Sequence, residues 1–170
     1  MLQGKKVILR PIKKEDLPFL NKWKNDKETF QYLGGGFMPI SIDQQEKWLD
    51  SMIDLTGSNK RYIISVENDK PIGMIGLYGI NWIHRTCEVG LYIGDRDAHG
   101  KGFAKESYSL IEEFGKGYLN LRKIRLNVVH NNISATSLWE SLGFEVVGTL
   151  KEERFINNEY MDLILMEKFI

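Results

Sequence analysis

The sequence predicts a mixed α/β fold in which one β-sheet carries helices on its faces. Two observations lead there. Segments with strand periodicity and segments with helix periodicity follow one another in the order β-α-α-β-β-β-α-β-α-β-β. The 170 residues are the size of one domain, 1–170, and no internal repeat, low-complexity stretch or linker divides them.

Val7-Ile8-Leu9-Arg10-Pro11 reads as a first strand ended by proline. Lys14-Glu15-Asp16 puts acids at a helix start, where the helix dipole favours them. Leu17, Leu20 and Trp23, with Phe19, then recur at helical spacing. Gly34-Gly35-Gly36 breaks the chain, and Ser41 or Asp43 caps a second helix carrying Trp48, Leu49, Met52 and Ile53. Arg61 to Val66 is a strand, Glu67-Asn68-Asp69-Lys70 a hairpin turn, and Pro71 to Tyr78 the returning strand. Thr86 to Ile93 alternates: Cys87, Val89, Leu91 and Ile93 share one face, and Glu88, Gly90 and Tyr92 the other. A helix over Phe103 to Gly117 has the stripe Ala104, Tyr108, Ile111, Phe114, Tyr118. Lys123 to Val129 is a strand. Ser134 to Leu142 is a short helix with Ala135, Leu138, Trp139 and Leu142 inside, stopped by Gly143. Phe144 to Leu150 and Phe155 to Lys168 form a last hairpin around Asn157-Asn158.

Composition narrows the function classes. Twenty-three basic and 23 acidic residues cancel, so neither a nucleic-acid surface nor a polycation surface is indicated. One cysteine, Cys87, excludes an internal disulfide and a thiolate metal cluster, and His84, His99 and His130 lack ligand spacing. The first residues contain no apolar signal core, and no apolar run approaches a membrane span. The expectation is a cytoplasmic, reduced protein without metal, membrane or nucleic-acid partner.

The chemistry centres on the strand, glycine-rich turn and helix between Glu88 and Gly117. A turn of this kind aims several backbone N–H groups at one point, and the helix dipole adds positive potential. Glycine admits close approach of an anion, and Lys101 adds charge, so the segment reads as a phosphate cradle. It is not a P-loop: Gly94 lies too far from Gly100, and Gly102 stands where a magnesium-binding hydroxyl belongs. Nor is it a dinucleotide fingerprint, because Lys105 replaces the third glycine and the turn follows several strands.

His99-Gly100-Lys101-Gly102-Phe103-Ala104 resembles the Gln/Arg-x-x-Gly-x-Gly/Ala motif of the GCN5-related N-acetyltransferases, with His99 at the first position. The run from Asn132 through Ala135, Trp139 and Leu142 to Gly143-Phe144 resembles that family's second signature, with Trp139 where a tyrosine is usual. Glu88 to Ile93 resembles its central strand. The opening Ile8 to Pro11 with Glu15-Asp16-Leu17, and the ending Gly148 to Asp162, look like its spermidine and ribosomal-protein-alanine acetyltransferase branch. The resemblance implies a mostly antiparallel sheet of about seven strands with about four helices and a splayed central strand pair. It implies acetyl-CoA as cofactor and a homodimer or higher homo-oligomer. Cofactor contacts would come from Leu91, Tyr92, Ile93, His99, Gly100, Lys101, Gly102, Phe103, Ala104, Lys105, Asn132 and Trp139.

Acetyl transfer to an alkyl amine, whose pKa is about 10.4, requires removal of the ammonium proton. Glu88 is the leading base, acting through water, unless it is held in a structural pair with Arg85; His84 is a second candidate. The resemblance places a backbone N–H near Leu91 to Ile93, where it would stabilise the oxyanion. Indole is no acid, so Tyr92 or Tyr160 protonates the thiolate, or the thiolate leaves without a side-chain acid. The resemblance implies an acceptor pocket formed by the first two helices, the strand turns and the final hairpin, drawing on Trp23, Asn25, Phe30, Tyr32, Trp48, Trp82, His84 and Tyr160. Residues 1–55 hold eight acids against nine bases, which does not favour a polycation. Polyamines, protein N-terminal or side-chain amines, and amino sugars or aminoglycosides stay open as acceptors. The competing reading is a non-catalytic acyl-CoA-binding sensor.

Overall fold

The computed structural model describes residues 1–52 and 55–170. Thirteen elements are labelled in chain order. They are β1 (Leu2–Gln3), β2 (Ile8–Arg10), α1 (Leu17–Lys24), α2 (Lys27–Phe30), α3 (Ile42–Asp50), β3 (Lys60–Val66), β4 (Lys70–Asn81), β5 (Thr86–Ile93), α4 (Phe103–Gly117), β6 (Lys123–Val129), α5 (Ile133–Ser141), β7 (Glu145–Ile156) and β8 (Glu159–Phe169). The strands form one sheet in the order β1-β2-β3-β4-β5-β6-β8-β7. β1 and the four-residue α2 were not expected and account for the excess over seven strands and four helices.

Alternation decides which side of the sheet each residue faces. Ile64, Ile75, Leu77, Cys87 and Val89 join Tyr108 and Ile111 of α4 and Trp139 and Leu142 of α5 in the main core. Ile63, one residue from Ile64, points the other way, to Leu17, Leu20 and Trp23 of α1 with Trp48 and Leu49 of α3. Each such side chain stabilises the fold by about 1.5–3 kcal/mol of burial before entropy is counted. The stripe expected on α4 stops short of Tyr118, which is 82% exposed. The helix has already ended at Gly117, and Ser107 and Gly115 fill the buried face instead.

Turn chemistry fixes the hairpins. Asn68 and Asp69 adopt φ of 60° and 56°, and Asn157 and Asn158 adopt 52° and 65°, the left-handed pairs that two-residue turns require. Ser41 caps α3, accepting from Gln44 N at 3.2 Å, while the Gln44 side chain accepts from Ser41 N at 2.8 Å. α3 ends at Asp50, so Met52 lies beyond it, and Ile53 falls outside the described residues. Asp16 is not a solvated helix-start acid. It is buried and forks onto Arg10, with both oxygens 2.8 Å from the guanidinium. That ion pair ties the entry of α1 to the end of β2.

β5 and β6 are the sheet's one parallel pair among the described residues, and they separate. They are in register at Thr86–Lys123, Cys87–Ile124 and Glu88–Arg125 and nowhere further. β4 continues to pair β5 as far as Ile93, and β8 pairs β6 as far as Val129. From Val89 onward one edge of β5 therefore has no strand beside it. This is the splay that the sequence resemblance implied.

Candidate active site

A parallel strand pair that diverges at its carboxyl ends leaves a crevice there, the place where open α/β sheets take ligands. The two lips carry the two motifs. β5 runs into residues 94–102 and α4, and β6 runs into Asn132 and α5.

At the first lip Gly100 and Gly102 have φ of +73° and +80°. A Cβ on either would meet nothing within 4 Å, so glycine is needed for its backbone conformation and the space beyond stays open. Gly102 is the N-cap of the 15-residue α4 and has no side chain to cap it. The first helix bond is Glu106 N to Gly102 O, and the N–H groups of Phe103, Ala104 and Lys105 have no backbone partner. Three free donors at the positive end of a helix dipole suit a pyrophosphate. The residues present thus fit the phosphate portion of coenzyme A. Lys101 and Lys105 are exposed beside them; Phe103 and Ala104 are half-buried.

His99 is exposed at the start of the turn. Its Nε2 lies 2.8 Å from the carbonyl oxygen of Ile93, which binds the turn to the end of β5. At the second lip Asn132 is the N-cap residue of α5 but makes no side-chain cap bond; its Oδ1 accepts from Ser134 Oγ at 3.4 Å. Trp139 is 6% exposed and edge-on to Tyr108 and Phe144, with ring centroids 5.6 and 5.3 Å away. Trp139 belongs to the buried core between α4, α5 and the sheet.

On the other side of β5 lies a cavity of about 460 Å³. Glu88, Gly90 and Tyr92 of β5 line it, with Met74 and Tyr78 of β4 and Arg61 of β3. Lys24, Phe30, Gly34, Gly35, Gln45 and Trp48 close it from the helix side. Tyr78 stands opposite Glu88 in the sheet register. Its ring lies over Gly76 and Gly90, where an added Cβ would come to 2.8 and 3.0 Å. Burial raises the Tyr78 phenol pKa, against the pull of Arg61. Burial also pushes Tyr92 far above the usual phenol range, with its ring edge-on to Phe30 at 4.9 Å and to Trp23 at 6.1 Å. Glu88 forms no ion pair with Arg85, whose guanidinium instead donates from Nε to Asn120 O at 2.9 Å.

Several expected acceptor residues lie elsewhere. Trp23 is 4% exposed and supports Tyr92 from behind; a Cβ at Gly94 would collide with its indole. Asn25 is a strap: its amide donates to Asn21 O and Ile40 O at 2.9 Å and accepts from Ile40 N at 2.8 Å. Tyr32 packs on Val129, Ile156, Met161 and Leu163. Beside it, Arg154 donates to Leu33 O and Asn157 to Gln31 Oε1, both at 2.8 Å, so the last hairpin anchors the segment leading into the cavity wall. Trp82 and His84 sit in the exposed β4–β5 turn, where Asn81 Oδ1 accepts from His84 N. Tyr160 is 68% exposed and pairs with Phe155. None of these six lines the cavity.

Lys24, Gln45, Arg61 and Tyr78 were not singled out from the sequence, although periodicity placed them. Lys24 is four residues after Leu20, Gln45 is three before Trp48, and Arg61 is two before Ile63. Polar residues on an apolar stripe were the signal.

Comparison with known proteins identifies the family. The family model for the acetyltransferase (GNAT) domain matches residues 6–145. Spermidine N(1)-acetyltransferase of Vibrio cholerae is 31% identical over 168 residues, covering 96% of this chain and 95% of its own. The enzyme of the same name from Escherichia coli strain K12 is 31% identical over 160 residues, 94% of this chain and 84% of its own. The crystal structure of the Vibrio cholerae spermidine N-acetyltransferase in complex with CoA and spermine superposes with a TM-score of 0.90 at 30% identity, over 98% of this chain and 96% of that one. With its glycine turn and splayed β5–β6 pair, the chain belongs to the GNAT family and is an acetyl-CoA-dependent N-acetyltransferase.

Proposed function

We propose that the chain acetylates the primary amine of a small molecule held in the 460 Å³ cavity, with Glu88 as the base. One observation carries this reading. A single strand, β5, turns the Glu88 carboxylate into the cavity just where its opposite edge loses its strand partner and leads on to the glycine turn. The base and the cofactor groove are thereby joined by rigid backbone, and the similarity to spermidine acetyltransferases supports a small-molecule amine.

Acetyl-CoA supplies a thioester carbonyl when bound. The unpaired stretch Leu91 to Ile93 offers backbone N–H groups for charge developing on its oxygen, and dipoles fixed in a sheet need no reorganisation. Glu88 accepts the ammonium proton through water and releases it to solvent. The acceptor nitrogen gains the acetyl group and loses a second proton as the thiol departs. Tyr92 is a poor source for the thiol's proton. Burial raises its phenol above an ordinary value that is already higher than the thiol's pKa of about 8.5. Tyr160 is outside the cavity. The thiolate therefore leaves without a side-chain acid and takes its proton from solvent.

The test is Glu88→Gln, assayed by free-thiol release and by mass shift of the acceptor. The expected result is a kcat lower by about 10²–10⁴-fold with acetyl-CoA binding intact. Full turnover in this variant would remove Glu88 from the reaction.

A further inference from the structure

We infer that the acceptor is a primary amine that also carries an anionic group, so that it enters as a zwitterion and not as a polycation. This rests on the cavity being the acceptor site. The charged residues lining it are Lys24, Arg61 and Glu88, two cations against one carboxylate. With Glu88 engaged by the acceptor's ammonium, both cations need another counter-charge.

Among the described residues neither cation finds one. The Lys24 ammonium sits 4.7 Å over the Phe30 ring and reaches Gly36 O at 3.5 Å, and burial lowers its pKa. The Arg61 guanidinium lies 5.8 Å from the Trp48 ring and 5.0 Å from the Tyr78 ring, with Nη1 3.2 Å from the Met52 sulfur. Among the described residues no carboxylate stands within ion-pair distance of either, although nine ion pairs form elsewhere. Partly desolvated cations of this kind are where a ligand anion is bound.

A third polar group, Gln45, lies on the same wall. Gln45 is 5% exposed and lines the cavity, and its Oε1 is buried without a hydrogen-bond partner. That oxygen takes a donor, so it bears on the N–H groups of the acceptor and not on its anionic end. The aromatic walls of Phe30, Trp48, Tyr78 and Tyr92 suit an apolar body between the two charged ends. A polyamine meets the opposite of what it needs here, since each further ammonium faces Lys24 or Arg61.

The experiment compares amines that differ only at the far end, by kcat/KM at saturating acetyl-CoA. The set is 6-aminohexanoate, 6-aminohexyl phosphate, hexylamine and 1,6-diaminohexane, with spermidine beside them. At least one anionic member should exceed the diamine and spermidine by tenfold or more. The phosphate and carboxylate members decide which anion is taken. Lys24→Glu should narrow or reverse that ranking, mainly through KM. A wild-type enzyme that turns over spermidine or the diamine as well as the anionic amines overturns the inference and leaves the acetyltransfer reading intact. If no amine is turned over, the proposed reaction fails. The ranking is then read from calorimetric binding to the CoA-saturated protein, where equal or tighter binding of the diamine overturns the inference as well.

Discussion

The Nε2 of His99 lies 2.8 Å from the carbonyl oxygen of Ile93, closing the glycine turn onto the strand that borders the cavity. A carbonyl only accepts, so Nε2 carries the proton and Nδ1 is left as the ring's other nitrogen. His99→Ala removes one hydrogen bond, a loss of about 1 kcal/mol. The expected outcome is a slightly lower unfolding midpoint and a KM for acetyl-CoA raised several-fold, with kcat little changed. An unchanged KM would show that the turn holds its shape without this tether.

Gly102→Arg tests the cradle itself. The residue needs φ of +80°, which costs an L-residue about 1–2 kcal/mol, but a Cβ there meets nothing within 4 Å. The variant therefore folds, and its side chain projects into the space beside the free N–H groups of α4. Acetyl-CoA binding should weaken by tenfold or more in calorimetry. Retained affinity would move the cofactor away from this turn.

Trp139→Phe separates packing from cofactor contact. The indole fills the angle between Tyr108 and Phe144, so the smaller ring should lower stability by on the order of 2 kcal/mol. KM for acetyl-CoA should stay within twofold. A large KM change with unaltered stability would return Trp139 to the cofactor groove.

Acid unfolding follows from carboxylates that are paired in the fold. Lys13 and then Arg10 hold Asp69 below the ordinary value of 3.8, and Thr29 and Arg96 do the same for Asp26. A depressed folded pKa gives stability that is present above the unfolded pKa and lost as pH falls through the folded one. Urea midpoints should thus be level above about pH 5 and decline below about pH 4. Asp69→Asn should flatten part of that decline. The side chain is half exposed, so screening keeps its share to about 1 kcal/mol or less. A variant curve parallel to the wild type would assign the decline to other groups.

Cys87 is fully buried on β5, and burial pushes its thiol up to about 12. At pH 8 the thiolate is scarce and shielded, so the native protein should resist a disulfide reagent that labels it at once in denaturant. Rapid native labelling would show that β5 opens.

Local chemistry was legible because it is written in nearest neighbours. The period-two face of Glu88, Gly90 and Tyr92, the left-handed turns at 68–69 and 157–158, the cap at Ser41 and the boundaries of α4 each follow from spacing or from one residue's backbone preference. Two ordered motifs were enough for the family and its cofactor, since their glycines and helix start are a local device. The cavity walled by α1, α3 and β3–β5 was not legible in that way. Aromatic residues read as cavity walls divided by packing: Phe30 and Trp48 reached the cavity, Trp23 went behind Tyr92, and Tyr32 went to the last hairpin. The even charge balance of residues 1–55 did not say which charges would converge. Only the folding of α1 and α3 over β3–β5 brought Lys24, Arg61 and Glu88 around one space. A cavity's charge depends on residues far apart in the chain, and tertiary packing alone sets which of them keep a partner.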